Sequence, residues 1–291
     1  MAPDVLAAIW QTQDKEQTAL QELSSGKRVN VPSDDPLAAA QMVANQAQAS
    51  RADQYLQNID TLTSQMQTAS TALGSAVTAL TQAVDLGVQG STGTVSSANR
   101  QEIVQSLQGI QAQLVQLANT SVSGSYLFGG TATTAAPYTL DSASPSGVTY
   151  NGNNGTNTVQ IADGLTVQTN LPGSQIFQSS GQDAFAALQG LISALQSGTA
   201  SAAQTATTQL RAALDSVSGQ QIFYSNAVSQ LNSTQTFLNQ EQVNLTSQAN
   251  NLVGADISKV ATDLTQAQTA YSATLAAAAK ILPTSLLDYL K

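Results

Sequence analysis

The chain has 291 residues and carries 18 acidic against 9 basic side chains, a net charge of −9, with 9% of residues charged and 4% aromatic. It has no cysteine and no histidine, which excludes disulfide scaffolds, thiolate nucleophiles, iron–sulfur clusters, Cys- or His-based zinc sites and Ser–His triads. The acidic balance offers no electrostatic footprint for nucleic acid, no apolar window is long enough for membrane insertion, and Met1-Ala2-Pro3-Asp4 lacks the basic and apolar regions of a cleaved leader.

In chain order, the first stretch carries Leu6, Ile9, Trp10, Leu20 and Leu23. This apolar load needs a partner, either the opposite chain end or another subunit. Asp34-Asp35 then precedes Pro36. Proline suits the first helical position, so Asp35 reads as the N-cap of a helix and the pair as capping chemistry, not acid–base catalysis. From Leu37 to Phe128 the chain reads as helix. Its clearest seam is Tyr55, Ile59, Leu62, Met66, Ala69, Leu73, Ala76, Leu80 and Ala83, in alternating steps of four and three. Gly87, Gly90 and Gly93 break it as a linker. A second helix starts near Ser97, with the seam Ile103, Leu107, Ile110, Leu114, Leu117 and Ser121.

Residues 137–177 change to β character. Val159-Gln160-Ile161 and Leu165-Thr166-Val167 alternate with period two around Ala162-Asp163-Gly164. A three-residue loop with Gly164 left-handed would pair Ile161 with Leu165 and Val159 with Val167. An earlier strand includes Val148-Thr149-Tyr150, followed by a turn through Asn151–Gly155. That turn lacks the carboxylates of a calcium loop. The composition suits a separable small β unit whose removal would leave the helices standing.

Most of Ala184 to Leu282 reads as helix again. Leu210, Leu214, Val217, Gln221, Tyr224, Val228, Leu231, Gln235, Leu238, Gln242, Leu245, Ala249 and Leu252 form the seam. Gly254 is a joint, and Ile257, Val260, Leu264, Ala267, Tyr271, Thr274 and Ala278 continue the rhythm up to Pro283, which is expected to stop the helix. At about 1.5 Å per residue, runs of this length predict an elongated antiparallel helical bundle or coiled coil with a small β insertion. The predicted segments are an N-terminal assembly segment and joint at 1–33, the first half of the bundle at 34–130, the β-rich insertion at 131–178, the second half at 179–253, and a C-terminal assembly helix at 254–291. No catalytic, cofactor or metal site emerges. The sequons beginning at Asn119, Asn154, Asn232 and Asn244 are expected by chance in a chain so rich in Ser and Thr.

Several motifs then converge. Ser24-Ser25-Gly26-Lys27-Arg28-Val29-Asn30-Val31-Pro32-Ser33-Asp34-Asp35-Pro36 resembles the S-[ST]-G-K-R-[VI]-x-x-P-S-D-D-P stretch of the hook-associated protein 3 family, junction subunits of the bacterial flagellum related to flagellin. Leu117-Ala118-Asn119-Thr120 with Tyr126-Leu127-Phe128-Gly129-Gly130, then Pro137-Tyr138, and Ser285-Leu286-Leu287 near the end are similar to further motifs of that family. Flagellins differ at Pro32-Ser33 and Pro36-Leu37 and in their carboxyl ending, so filament-forming flagellin is the alternative reading. The segment before Ser24 is shorter than the family leads one to expect.

The resemblance implies a secreted, extracellular, non-enzymatic subunit, exported through the flagellar type III apparatus without a cleaved signal. It implies an inner layer of terminal helices, an outer bundle and an exposed β domain. Implied partners are hook-associated protein 1, flagellin, neighbouring copies in a ring and an export chaperone. Candidate joint and subunit-interface residues are Trp10, Gly26, Lys27, Arg28, Pro32, Asp34, Asp35, Pro36, Tyr271, Leu286 and Leu287. The charges at 27–28 and 34–35 are expected to be available to a neighbouring subunit.

Overall fold

A computed structural model describes the backbone at residues 2–179 and 181–289, and the side chains in that range except those of residues 2, 3, 5 and 280–289. The helices are α1 (Ala2–Ser25), α2 (Pro36–Gly90), α3 (Ser97–Ala118), the short α4 (Gly173–Phe177), α5 (Ala184–Ser197), α6 (Ala200–Val253) and α7 (Ile257–Tyr289). The strands form four separate antiparallel pairs: β1 (Ser121–Val122) with β2 (Ser125–Tyr126), β3 (Tyr138–Leu140) with β4 (Val148–Tyr150), β5 (Thr158–Ala162) with β6 (Leu165–Gln168), and β7 (Gln178–Ser179) with β8 (Gln182–Asp183). The fold class is therefore mainly α, a helical bundle with a small β insertion. The chain divides into two compact units, one of Met1–Ala52 with Asn239–Lys291 and one of Asp53–Leu238.

The larger unit is built on the α2 seam. Ile59, Leu62, Met66, Ala69, Leu73, Ala76, Leu80 and Ala83 are all buried, as heptad spacing requires when one stripe faces a partner helix. The partner stripe on α6 differs from the expected one at three positions. Leu210, Val217, Tyr224, Leu231 and Leu238 are buried, but Ala213, Ala227 and Thr234 fill the layers between them in place of Leu214, Val228 and Gln235. The reason is polar. Gln221 and Gln235 sit at the edge of the seam, where Gln221 Nε2 donates to the Ser70 carbonyl at 3.3 Å and Gln235 Nε2 to Asp60 Oδ1 at 2.7 Å. These pairings run α2 and α6 antiparallel within this unit. Ile103, Leu107, Ile110 and Leu114 of α3 and Leu188, Leu191, Ile192 and Leu195 of α5 complete the packing.

Caps fix the helix starts. Ser96 Oγ accepts the Asn99 N–H at 3.2 Å to open α3, and Asp183 Oδ1 accepts the Ala186 N–H at 2.8 Å to open α5. α3 ends at Ala118, so residues 119–128 are a hairpin and loop, not the helix expected as far as Phe128. α7 runs through Pro283 to Tyr289. Proline removes one backbone donor, and the turns on either side still bond.

The exposed helix surface is dressed in hydroxyls that turn inward. Thr61, Thr68, Thr71, Thr78 and Thr81 of α2, and Thr205, Thr208 and Thr236 of α6, donate their Oγ protons to the carbonyl four residues earlier at 2.8–3.1 Å.

The insertion is bolted to this unit by aromatic rings. Tyr138 of β3 and Phe177 of α4 pack edge-on at 5.8 Å, and Phe177 meets Phe128 and Phe185 at the same centroid distance. Phe128 reaches Tyr224 of α6 at 6.3 Å. These five rings are buried to 1% exposure or less. Residues 137–177, expected to be separable, thus contribute Tyr138 and Phe177 to a core shared with α5 and α6.

In the β5–β6 hairpin, Val159 pairs with Val167 and Gly164 is left-handed with φ 72°, both as expected. Ile161 is not opposite Leu165. It is bulged, with Gln160 facing Thr166 and Ala162 facing Leu165. The bulge turns Ile161 into the core, fully buried, and leaves Leu165 exposed.

Candidate functional site

The joint motif lies between α1 and α2 and is built by its own backbone. Gly26 adopts φ 66°, and a Cβ there would touch nothing within 4 Å, so the left-handed conformation alone requires glycine. The chain then runs antiparallel to the break between α6 and α7. Lys27 bridges Gly254, the Arg28 N–H donates to the Val253 carbonyl at 2.7 Å, and the Ala255 N–H donates to the Gly26 carbonyl at 3.0 Å. A small apolar cluster of Val29, Ala38 and Val253, flanked by Met42 and Leu252, sits under this clasp.

The two aspartates divide the work. Asp34 Oδ2 accepts the Asn30 and Val31 N–H groups, each at 2.9 Å, and closes the loop. Asp35 Oδ1 accepts the Ala38 N–H at 3.0 Å and caps α2, with Pro36 in the first helical position. Asp35 Oδ2 takes the Arg28 guanidinium at 3.1 Å, and the same Arg28 nitrogen donates to the Leu252 carbonyl at 3.0 Å. The N–H groups of Val31 and Asn30 hold the Asp34 carboxyl below its ordinary 3.8. The Ala38 N–H, and then the Arg28 hydrogen bond, do the same for Asp35. Arg28 thus bonds within the joint while its side chain stays 49% exposed, and Lys27 and Pro32 are exposed.

The terminal helices find each other: α1 packs on α7. On α7, Val260, Ala267 and Ala278 are buried, and Leu264, Tyr271 and Thr274 half-buried, the expected seam apart from Ile257, which is 48% exposed. On α1 the buried side is lean. Ala19 is buried, with Ile9, Thr12 and Glu16 half-buried in steps of three and four. A second stripe runs beside it at residues 6, 10, 13, 17 and 20. Its apolar members, Leu6, Trp10 and Leu20, face outward, with Trp10 66% exposed. The candidate Leu286 and Leu287 lie outside the described side chains.

The mid-chain motif has a structural role the sequence did not reveal. The Asn119 side chain lies along the Tyr138 backbone, its Nδ2 donating to the Tyr138 carbonyl at 2.7 Å and its Oδ1 accepting the Tyr138 N–H at 2.8 Å. It substitutes for a missing strand neighbour. Gly130, at φ 72°, lies against Asn153 with no room for a side chain. The residues sequence reasoning missed at the joint are Val253 and Ala255, and Leu252, read as a seam position, also gives its carbonyl to Arg28. Their contribution is backbone N–H and C=O, and Gly254 was the one signal that marked the place.

Among the described residues, no group of three or more carboxylates is placed to hold a metal, and no helix is long and apolar enough to cross a membrane.

The family model for the bacterial flagellin N-terminal helical region matches residues 1–133. Flagellar hook-associated protein 3 of Salmonella typhimurium is 37% identical over 161 residues, which is 55% of this chain and 49% of that protein. The protein of the same name from Escherichia coli K12 is 38% identical over 120 residues, 40% of this chain and 38% of that one. The matches therefore span half or less of these relatives. The structure of a putative flagellar hook-associated protein from Vibrio parahaemolyticus has the same fold with a TM-score of 0.70 at 19% identity, covering 76% of this chain and 100% of that one. Hook-associated protein 3 of Legionella pneumophila gives 0.65 at 14%, with 72% and 98% covered. The resemblance to the hook-associated protein 3 family read from the motifs is borne out by these relatives.

Proposed function

We propose, from the premise that residues 1–133 carry a flagellin N-terminal helical region and that the chain resembles flagellar hook-associated protein 3, that this protein is a structural subunit of the bacterial flagellum at the junction between hook and filament. The observation that carries this reading is the joint motif Ser24–Pro36, found as a folded clasp in a chain that is 37% identical to flagellar hook-associated protein 3 over 161 residues. The subunit works by presenting surface, not by catalysis. Each copy supplies paired terminal helices with an outward stripe at Leu6, Trp10 and Leu20, and that stripe buries itself against neighbouring copies in the ring. Hook-associated protein 1 lies on one side and flagellin on the other, the chain travels to this place through the flagellar export route with a dedicated chaperone, and its location is extracellular.

The test is genetic and visual. A strain lacking its own junction protein is supplied with this chain, and hook ends are imaged while motility is scored. Filaments restored on hooks, together with no filament growth from the purified chain on seeds, support the junction role. Long filaments from the purified chain alone would assign it to the filament. Failure to reach the flagellum in a matched host would overturn both readings.

A further inference from the structure

We infer that the joint between α1 and α2 is an acid-operated latch: neutralising Asp34 and Asp35 unfastens the loop and the 26–28 to 253–255 clasp while the helices of the larger unit stay folded. The inference stands on how many independent strands of the joint end on two carboxylates. Asp34 holds two consecutive N–H groups, those of Asn30 and Val31, and its own N–H returns to the Val31 carbonyl at 3.0 Å. Asp35 holds the Arg28 guanidinium, and through it the Leu252 carbonyl at the end of α6. Apart from these bonds, the joint is held by the main-chain bonds from Arg28 N–H to Val253 and from Ala255 N–H to Gly26, and by the small Val29, Ala38 and Val253 cluster with Met42 and Leu252 at its side. So the apolar contribution that would hold the joint once the carboxylates were neutral is slight.

The other charged groups on the elements that meet here are Glu22 of α1, Lys27, and Asp256 and Lys259 at the start of α7. Asp256 caps α7 by accepting the Ser258 and Lys259 N–H groups at 3.0 and 3.1 Å. Among the described residues, the Arg28 guanidinium bonds Asp35 and the Leu252 carbonyl, so Asp35 is the anion that positions it. A protonated carboxyl accepts more weakly and no longer attracts the guanidinium. Both carboxyls are held below 3.8 in the folded chain by the bonds just named. The sign follows: their contribution is complete above 3.8 and is lost as pH falls through their folded values.

Amide hydrogen exchange, corrected for intrinsic rates, reads this on the intact chain. Between pH 7 and about pH 2.5, protection at Arg28, Asn30, Val31 and Ala255 should fall about ten-fold or more, while Leu107 and Leu188 in the larger unit keep theirs. In the double variant Asp34→Asn with Asp35→Asn, which keeps shape and lacks the charges, those four amides should show no change with pH. Unchanged protection in the wild-type chain in acid overturns the latch. So does a double variant that still responds to pH like the wild type, which would hand the role to Glu22 or Asp256. Loss at Leu107 and Leu188 in step with the joint would be whole-chain unfolding and also overturns it.

Discussion

Tyr138 and Tyr224 are each 1% exposed, belong to the same aromatic core, and should respond with opposite signs to loss of one oxygen. The Tyr138 hydroxyl is buried with no hydrogen-bond partner among the described residues. The Tyr224 hydroxyl accepts the Leu171 N–H at 3.2 Å. Burial drives both phenol pKa values far upward, so neither ionises in the folded chain at ordinary pH. A buried polar group without a partner costs about 1–3 kcal/mol. Tyr138→Phe removes that cost and leaves the ring contacts with Phe177 and Phe185, so the variant should be more stable by about 1 kcal/mol once the small void is counted. Tyr224→Phe instead strands a backbone N–H in the interior and should lose about 1–3 kcal/mol. Equilibrium urea unfolding, followed by near-ultraviolet circular dichroism of the tyrosines, five of the seven in the larger unit, reads chiefly that unit, while fluorescence of the single tryptophan, Trp10, reads the other. A Tyr138→Phe variant destabilised by more than about 0.5 kcal/mol would refute the bookkeeping of buried partners on which the comparison rests.

Asn119→Ala removes both side-chain bonds to the Tyr138 backbone and should destabilise the larger unit by about 1–3 kcal/mol, read as a lowered urea midpoint with Trp10 fluorescence unmoved. Asp183 caps α5, but burial pushes its carboxyl upward from 3.8. Asp183→Asn keeps a capping oxygen without the charge, so its urea midpoint at pH 7 should equal or exceed that of the wild type. A raised carboxyl favours the folded state more as pH falls, so the wild type should close that gap between the folded pKa and 3.8. A variant markedly less stable at pH 7 would show that the Asp183 charge itself supports the helix start.

The helices were legible because burial in a two-helix seam imposes a period, and α2 shows it without a single exception from Ile59 to Ala83. The same rule placed α6 one residue out in three layers. Hydrophobic spacing alone prefers Leu214 and Val228, whereas a close antiparallel partner admits Ala213 and Ala227 and sends the glutamines to the rim. The Asp35 cap and the left-handed Gly164 were readable from local chemistry. The bulge at Ile161 was not, because what decides it is the core beneath the hairpin. At the joint the motif gave the near side of the clasp. The far side, Leu252 to Ala255, contributes main-chain groups that any residue type would supply, so Gly254 marked the break there but no residue pattern announced the bonds.

The inward-turned threonines of α2 and α6 bear on how a chain with 9% charged residues can meet other proteins. A hydroxyl whose proton is already given to its own helix presents the outside with a methyl group and a lone pair, and asks little of the water around it. When two such surfaces close, few hydration bonds must be broken and few counterions displaced, so contact between subunits should depend only weakly on ionic strength. In the proposed ring, grip would then come from shape and from many shallow contacts repeated between copies, a form of adhesion that tolerates changing salinity.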